Sequence, residues 1–172
     1  SENWLEKLQL EMRKRMAELK KRGIEVREER TEDGLVYRID TESLIKVLRK
    51  EVREKLESVM RLAPAEFKIR KTKGVEMAVV IARGDLTEQD RQKLEILQAQ
   101  YKDGFQWAYN SKNKTLRVVL VLNKFYEIGI EELLKKVTQQ LAEASSLMAV
   151  AGVSLNYEVE VGKEVLIKIQ LS

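Results

Sequence analysis

Apolar residues along this chain recur first at helical spacing and then at alternate positions, and the switch is made four times. Trp4, Leu5, Leu8, Met12, Met16 and Leu19 fall three or four residues apart, as do Leu44, Ile45, Leu48, Val52, Leu56, Val59 and Met60. A short third set, Leu94, Leu97 and Tyr101, and a long fourth set, Ile130, Leu133, Leu134, Val137, Leu141, Ala144 and Met148, repeat the spacing. Each set is one apolar stripe on a charged segment, which predicts four amphipathic helices with one face on a core and the other in water.

Between these segments lie pairs of alternating runs, the pattern of half-buried antiparallel strands. Ile24 and Val26 are followed by Leu35, Tyr37 and Ile39; Phe67 and Ile69 by Val75, Met77, Val79 and Ile81. Phe105, Trp107 and Tyr109 precede Leu116, Val118, Leu120 and Leu122, and Val153 to Val161 precede Val165, Ile167, Ile169 and Leu171. Turns are expected at Asp33-Gly34, Lys73-Gly74, Lys112-Asn113 and Gly162-Lys163, with Asp-Gly the strongest signal because both central residues of a type I′ turn need positive φ. The expected fold is α+β: four successive αββ units starting near residues 2, 41, 86 and 129, an antiparallel sheet of about eight strands, and helices packed on one face.

Boundary residues agree with the period. Gly23 stands at the expected end of the first helix. Asp40 or Thr41 is placed to cap the second, and Thr87 with Asp90 has capping-box spacing at the third. Pro64, the single proline, falls between the second helix and its hairpin. At 172 residues the chain is expected to form a single compact domain, with pseudo-repeat halves 1–84 and 85–172 as the variant reading.

Composition then restricts the chemistry. Histidine and cysteine are both absent, which removes the commonest general base near neutral pH and every thiolate or imidazole metal ligand. The eight glycines form neither a dinucleotide fingerprint nor a Walker loop. Ser145-Ser146 has no base at a recognisable spacing, and Glu28-Glu29, Glu131-Glu132 and the pair Asp85 and Asp90 read as solvated surface acids. A carboxylate-only magnesium site is the one metal option left, and the expectation is a protein that is not an enzyme and holds no cofactor. No run approaches the roughly 18 apolar residues of a membrane helix. The N-terminus also lacks signal-peptide order, so a cytoplasmic protein without a membrane partner is expected. Charged residues make up 35% of the chain, a balance seen in thermophile proteins. With His and Cys missing, the same balance fits a designed scaffold with no natural function.

Three clusters are candidates for recognition. Trp4, Met12 and Met16 form an adaptable stripe for a polypeptide partner, or self-packing for an N-terminal helix. The ring row Phe105, Trp107 and Tyr109 lies beside Lys112, Lys114, Arg117 and Lys124, a combination that serves single-stranded nucleic acid when exposed and a sheet core when buried. A basic stretch, Arg61, Lys68, Arg70, Lys71 and Lys73, is opposed only by Glu66. The nucleic-acid reading therefore assigns Arg70, Lys71, Trp107, Tyr109, Lys112, Lys114 and Arg117 to binding. A net charge of +4 is mild for a duplex binder.

The stretch Leu86-Thr87-Glu88, then Phe105 to Tyr109, Leu116 to Leu122, and Ile128-Gly129-Ile130-Glu131-Glu132-Leu133-Leu134 resembles the type III secretion chaperone-like superfamily, including its uncharacterised archaeal members. The resemblance covers residues 82–148. It implies a non-enzymatic protein that dimerises and presents an apolar surface to a partner polypeptide, and it carries over no functional residue. The leading expectation is thus a chaperone-like or adaptor protein that self-associates, with the final strand, Glu164 to Leu171, pairing with a second copy if it lies at a sheet edge.

Overall fold

The computed structural model describes residues 2–60, 62 and 64–172; Arg61, placed above in the basic stretch, and the side chain of Val59 lie outside the described residues. The element order is α1 (Glu2–Lys21), β1 (Val26–Arg30), β2 (Gly34–Asp40), α2 (Thr41–Val59), β3 (Pro64–Thr72), β4 (Val75–Arg83), α3 (Glu88–Tyr101), a 3₁₀ turn (Lys102–Gly104), β5 (Phe105–Asn110), β6 (Thr115–Val121), α4 (Leu122–Val150), β7 (Leu155–Val161) and β8 (Glu164–Leu171). The fold is α+β, and among the described residues it holds four α-helices and eight strands.

The strands form two four-stranded antiparallel sheets, ordered β1-β2-β8-β7 and β3-β4-β6-β5, where one sheet was expected. Alternation reveals where strands are but not which distant runs pair. Here the inner strands β2 and β4 each take a hairpin neighbour on one side and a remote strand, β8 or β6, on the other. The chain accordingly divides into two compact units that are nested, not consecutive: Ser1–Val47 with Glu131–Ser172, and Leu48–Ile130. β8 is an inner strand, so it has no free edge for a second copy; β7 holds that position.

In the first unit, β2 and β8 align Leu35 with Ile169, Tyr37 with Ile167 and Ile39 with Val165, so all six side chains share one face. That face is buried, as are Leu5, Leu8, Met12, Met16 and Leu19 of α1 and Val137, Leu141 and Met148 of α4. α1 ends in a Schellman pair, with Gly23 N–H donating to Lys20 O and Ile24 N–H to Leu19 O. Asp40 settles the cap of α2: its Oδ2 accepts from Ser43 N–H at 2.9 Å, while the Thr41 hydroxyl donates to Gly162 O.

The Asp33-Gly34 turn differs from expectation. Neither residue has positive φ, and Gly34 is already the first residue of β2. A Cβ there would stand 2.5 Å from Ile169 O, so this glycine serves the close approach of β8. The I′ geometry instead belongs to Lys73 and Gly74, at φ 52° and 78°.

In the second unit, Ala78, Val80 and Ala82 of β4, Leu116, Val118 and Leu120 of β6 and Phe105 of β5 are buried together on one sheet face. The expected capping box is present, with Thr87 Oγ1 accepting from Asp90 N–H and Asp90 Oδ2 from Thr87 N–H. α4 starts earlier than the Ile128-Gly129 opening expected for it, directly after β6. Gly129 sits inside this helix because a Cβ there would meet Leu48 Cδ2 of α2 at 2.6 Å.

Candidate interaction surface

The ring row divides by depth. Phe105 is buried at 1% exposure, and Trp107 and Tyr109 are half-buried. The register places all three on the face that carries Leu116, Val118 and Leu120. The Arg91 guanidinium of α3 stands 5.4 Å over the Trp107 ring, and the Tyr109 hydroxyl donates to Gly84 O at 2.8 Å. The rings are thus committed to the α3 side of the second sheet.

The proposed nucleic-acid set is not brought together. Arg117 lies opposite Ala108, and Arg70 opposite Met77, so both point to the other face. Lys71, opposite Glu76, returns to the ring side but on β3, the far edge from β5. Three strand spacings separate those edges, on the order of 14 Å. Lys112 and Lys114 occupy the β5–β6 loop, and Lys114 is engaged by Asp85 at 3.0 Å, whose hydrogen bond and charge raise the ammonium pKa.

Of the residues assigned to a polypeptide partner, Met12 and Met16 are buried within the first unit at 0% and 3% exposure. Trp4 is half-buried, with the Lys7 ammonium 5.1 Å from its ring.

The surface that sequence reasoning missed is the open face of the second sheet. Along β4, Val75 and Met77 are exposed at 42% and 36%, and Val79 and Ile81 are half-buried. The register sets Lys68 beside Val79, Arg70 beside Met77 and Arg117 beside Ile81. Lys68 contacts Glu66 at 3.5 Å, whereas Arg70, Arg83 and Arg117 are exposed and form no ion pair among the described residues. The result is an aliphatic strip framed by cations. Its signal was present: Met77 to Ala82 is apolar without interruption, and a strand apolar on both faces asks for cover on both.

Two partly buried polar networks hold the units internally. In the first, Glu28 accepts from Arg13 at 2.8 Å, from Gln9 at 2.9 Å and from the Tyr37 hydroxyl at 2.8 Å. Burial opposes ionisation of Glu28, but these hydrogen bonds outweigh it and hold the carboxyl below its usual range. Burial and the same carboxylate push the Tyr37 hydroxyl up. In the second, Arg49 bonds Glu76 and the Tyr126 hydroxyl, and burial pushes Tyr126 up to about 12. Glu76 N–H donates in turn to Asn123 Oδ1, and Asn123 Nδ2 to Gly74 O, which anchors the β3–β4 turn. Each network is internally satisfied and joins neighbouring elements, which is a structural arrangement.

Among the described residues no three acidic side chains gather into a metal-binding group, and no helix is long and apolar enough to cross a membrane. A groove of about 480 Å³ in the first unit is lined by Leu5, Glu6, Arg30, Asp33 and Leu171 among others, a mixed-charge wall without convergent donors. No protein-family model matches the chain, and no curated protein or solved structure matches it either.

Proposed function

We propose that this is a non-catalytic interaction protein, of adaptor or chaperone-like type, that binds acidic polypeptide segments along the open face and free β3 edge of its second sheet. One observation carries the reading: the apolar row Val75, Met77, Val79 and Ile81 runs along the open face of β4, with Arg70 beside Met77, Arg117 beside Ile81 and Arg83 at the strand's end, and these three arginines form no ion pair among the described residues. Aliphatic side chains give a strand or helix something to desolvate, while the cations select acidic sequences and set register. The resemblance of residues 82–148 to chaperone-like proteins points the same way, as does reading the four αββ units as one repeated supersecondary theme with helices over one face of each sheet.

The test is a fluorescence-anisotropy titration with a labelled peptide of alternating glutamate and valine. Saturable binding that weakens about tenfold on doing Arg70→Glu together with Arg117→Glu is the expected result. Unchanged binding in that variant removes the assignment. Single-stranded nucleic acid is the second reading, favoured by the charge of the second unit alone: residues 48–130 hold seventeen Lys and Arg against eleven acids. An oligonucleotide that binds the same protein more tightly than the peptide at equal salt would move the assignment to it.

A further inference from the structure

Each sheet ends in a long unpaired edge, and the two edges are complementary. Among the described residues β3 pairs only with β4, and β7 only with β8. Ile69 on the first is 42% exposed, and Tyr157 and Val161 on the second are 37% and 58% exposed. Open edges with exposed apolar side chains are templates for another strand.

Backbone phase fixes which residues can take that strand. Ser154 and Ser172 exchange both backbone bonds, so Leu155, Tyr157, Val159 and Val161 turn their N–H and C=O groups away from β8. The I′ turn at Lys73-Gly74 makes Thr72 and Val75 an exchanging pair, so Phe67, Ile69 and Lys71 turn theirs away from β4. An antiparallel pairing must join these two sets. With Ile69 opposite Val159, Phe67 meets Val161 and Lys71 lies beside the Tyr157 ring. The intervening residues then set Lys68 opposite Glu160 and Arg70 opposite Glu158, on the opposite face. One register satisfies hydrogen-bond phase, apolar contact and charge together.

Pairing of either edge with its own copy fails this match. Centred registers of β7 on β7 oppose Glu158 with Glu158 or with Glu160, and those of β3 on β3 oppose Lys68 or Arg70 with a like charge, which is destabilising at directly facing positions. The wider charge agrees: the second unit is +6, whereas residues 1–47 with 131–172 are −2. Existing contacts of the two edges, Lys68 with Glu66 and Lys168 with Glu160 at 3.7 Å, are exposed pairs that exchange at little cost.

We infer that the acidic segment bound by β3 is β7 of a second copy of this chain, in a head-to-tail antiparallel pairing with Ile69 opposite Val159. This rests on the acidic-polypeptide reading above and names its partner. Because every copy carries both edges, the contact is heterologous and repeats, closing into a ring or extending as a filament.

The full chain, measured by sedimentation across a concentration series, is expected to associate above 20.0 kDa reversibly and less so at high salt. Two variants divide the contact: Lys68→Glu with Arg70→Glu, and Glu158→Lys with Glu160→Lys. Each alone is expected to stay at the monomer mass, and their equimolar mixture to recover association, because each supplies the edge the other now complements. All four side chains are exposed, and circular dichroism verifies that both variants fold. Because the chain has no cysteine, an Ile69→Cys chain mixed with a Val159→Cys chain reports register directly. Cross-linking between the two different chains, well above that within either, is expected on mild oxidation.

A wild-type chain that stays monomeric, variants that associate as well as wild type, or a mixture that does not recover association each overturns the pairing. Binding of the glutamate–valine peptide by the Glu158→Lys, Glu160→Lys variant separates the two readings. If it binds while wild type remains monomeric, only self-pairing falls; if it does not bind, the acidic-polypeptide reading falls as well.

Discussion

At the scale of single residues, Glu28 shows how a position read as surface acid becomes structural. Gln9 and Arg13 of α1 and Tyr37 of β2 converge on it as donors, and nothing in the adjacent pair Glu28-Glu29 distinguishes the half-buried acid from the exposed one. Alternation along β1 does so only once the short strand's covered face is known. Its carboxyl titrates below its usual range in the folded chain. A depressed folded pKa means that its contribution to stability is present above the unfolded value, about 4.3, and is lost as pH falls through the folded pKa. Urea unfolding at pH 7 and at pH 3 should therefore show a loss of stability in wild type that is smaller in Glu28→Gln. Equal losses in both proteins would place the acid-sensitive group elsewhere. Met12 and Met16 carry a related lesson, since the same thioether flexibility that suits a partner also fills irregular interior space, and both are buried.

At the scale of elements, much of the chain was legible because local signals agreed with one another. The Schellman end of α1, the Asp40 cap and the Thr87–Asp90 box all stand where residue type and period put them. Hairpin chemistry was less transparent, because a glycine after a polar residue has two uses. Gly74 supplies a positive φ with open space where its Cβ would be, while Gly34 supplies room for the Ile169 carbonyl. The difference is measurable with one substitution at both sites. Asn tolerates left-handed φ, so Gly74→Asn should change stability by less than about 1 kcal/mol. Gly34→Asn places atoms against backbone and should destabilise by roughly 2 kcal/mol or more. Chemical denaturation of the two variants checks the order, and a reversed order would mean that Asp33-Gly34 is the strained turn after all.

At the scale of the whole molecule, what could not be read was long-range: which strands share a sheet, and therefore which charges share a unit. The overall charge of +4 conceals a +6 unit and a −2 unit because the first is an insertion within the second's sequence. The ring row was ambiguous for the same reason, since F-x-W-x-Y is identical whether a helix covers it or not. α3 does cover it, with Arg91 over Trp107 and Tyr109 tied to Gly84. An oligonucleotide attracted to the second unit would meet Lys68, Arg70, Arg83 and Arg117 on the face away from those rings. Phosphate neutralisation by such groups gives binding that falls steeply with salt, but stacking on tryptophan requires a free ring face. Titration with labelled single-stranded DNA at about 50 mM salt should therefore leave tryptophan emission unquenched, whatever anisotropy reports about binding. The Trp4→Phe variant isolates Trp107 for this measurement, because the chain has two tryptophans. Strong, salt-sensitive quenching of Trp107 would require α3 to move off β5 and would return the ring row to the binding surface.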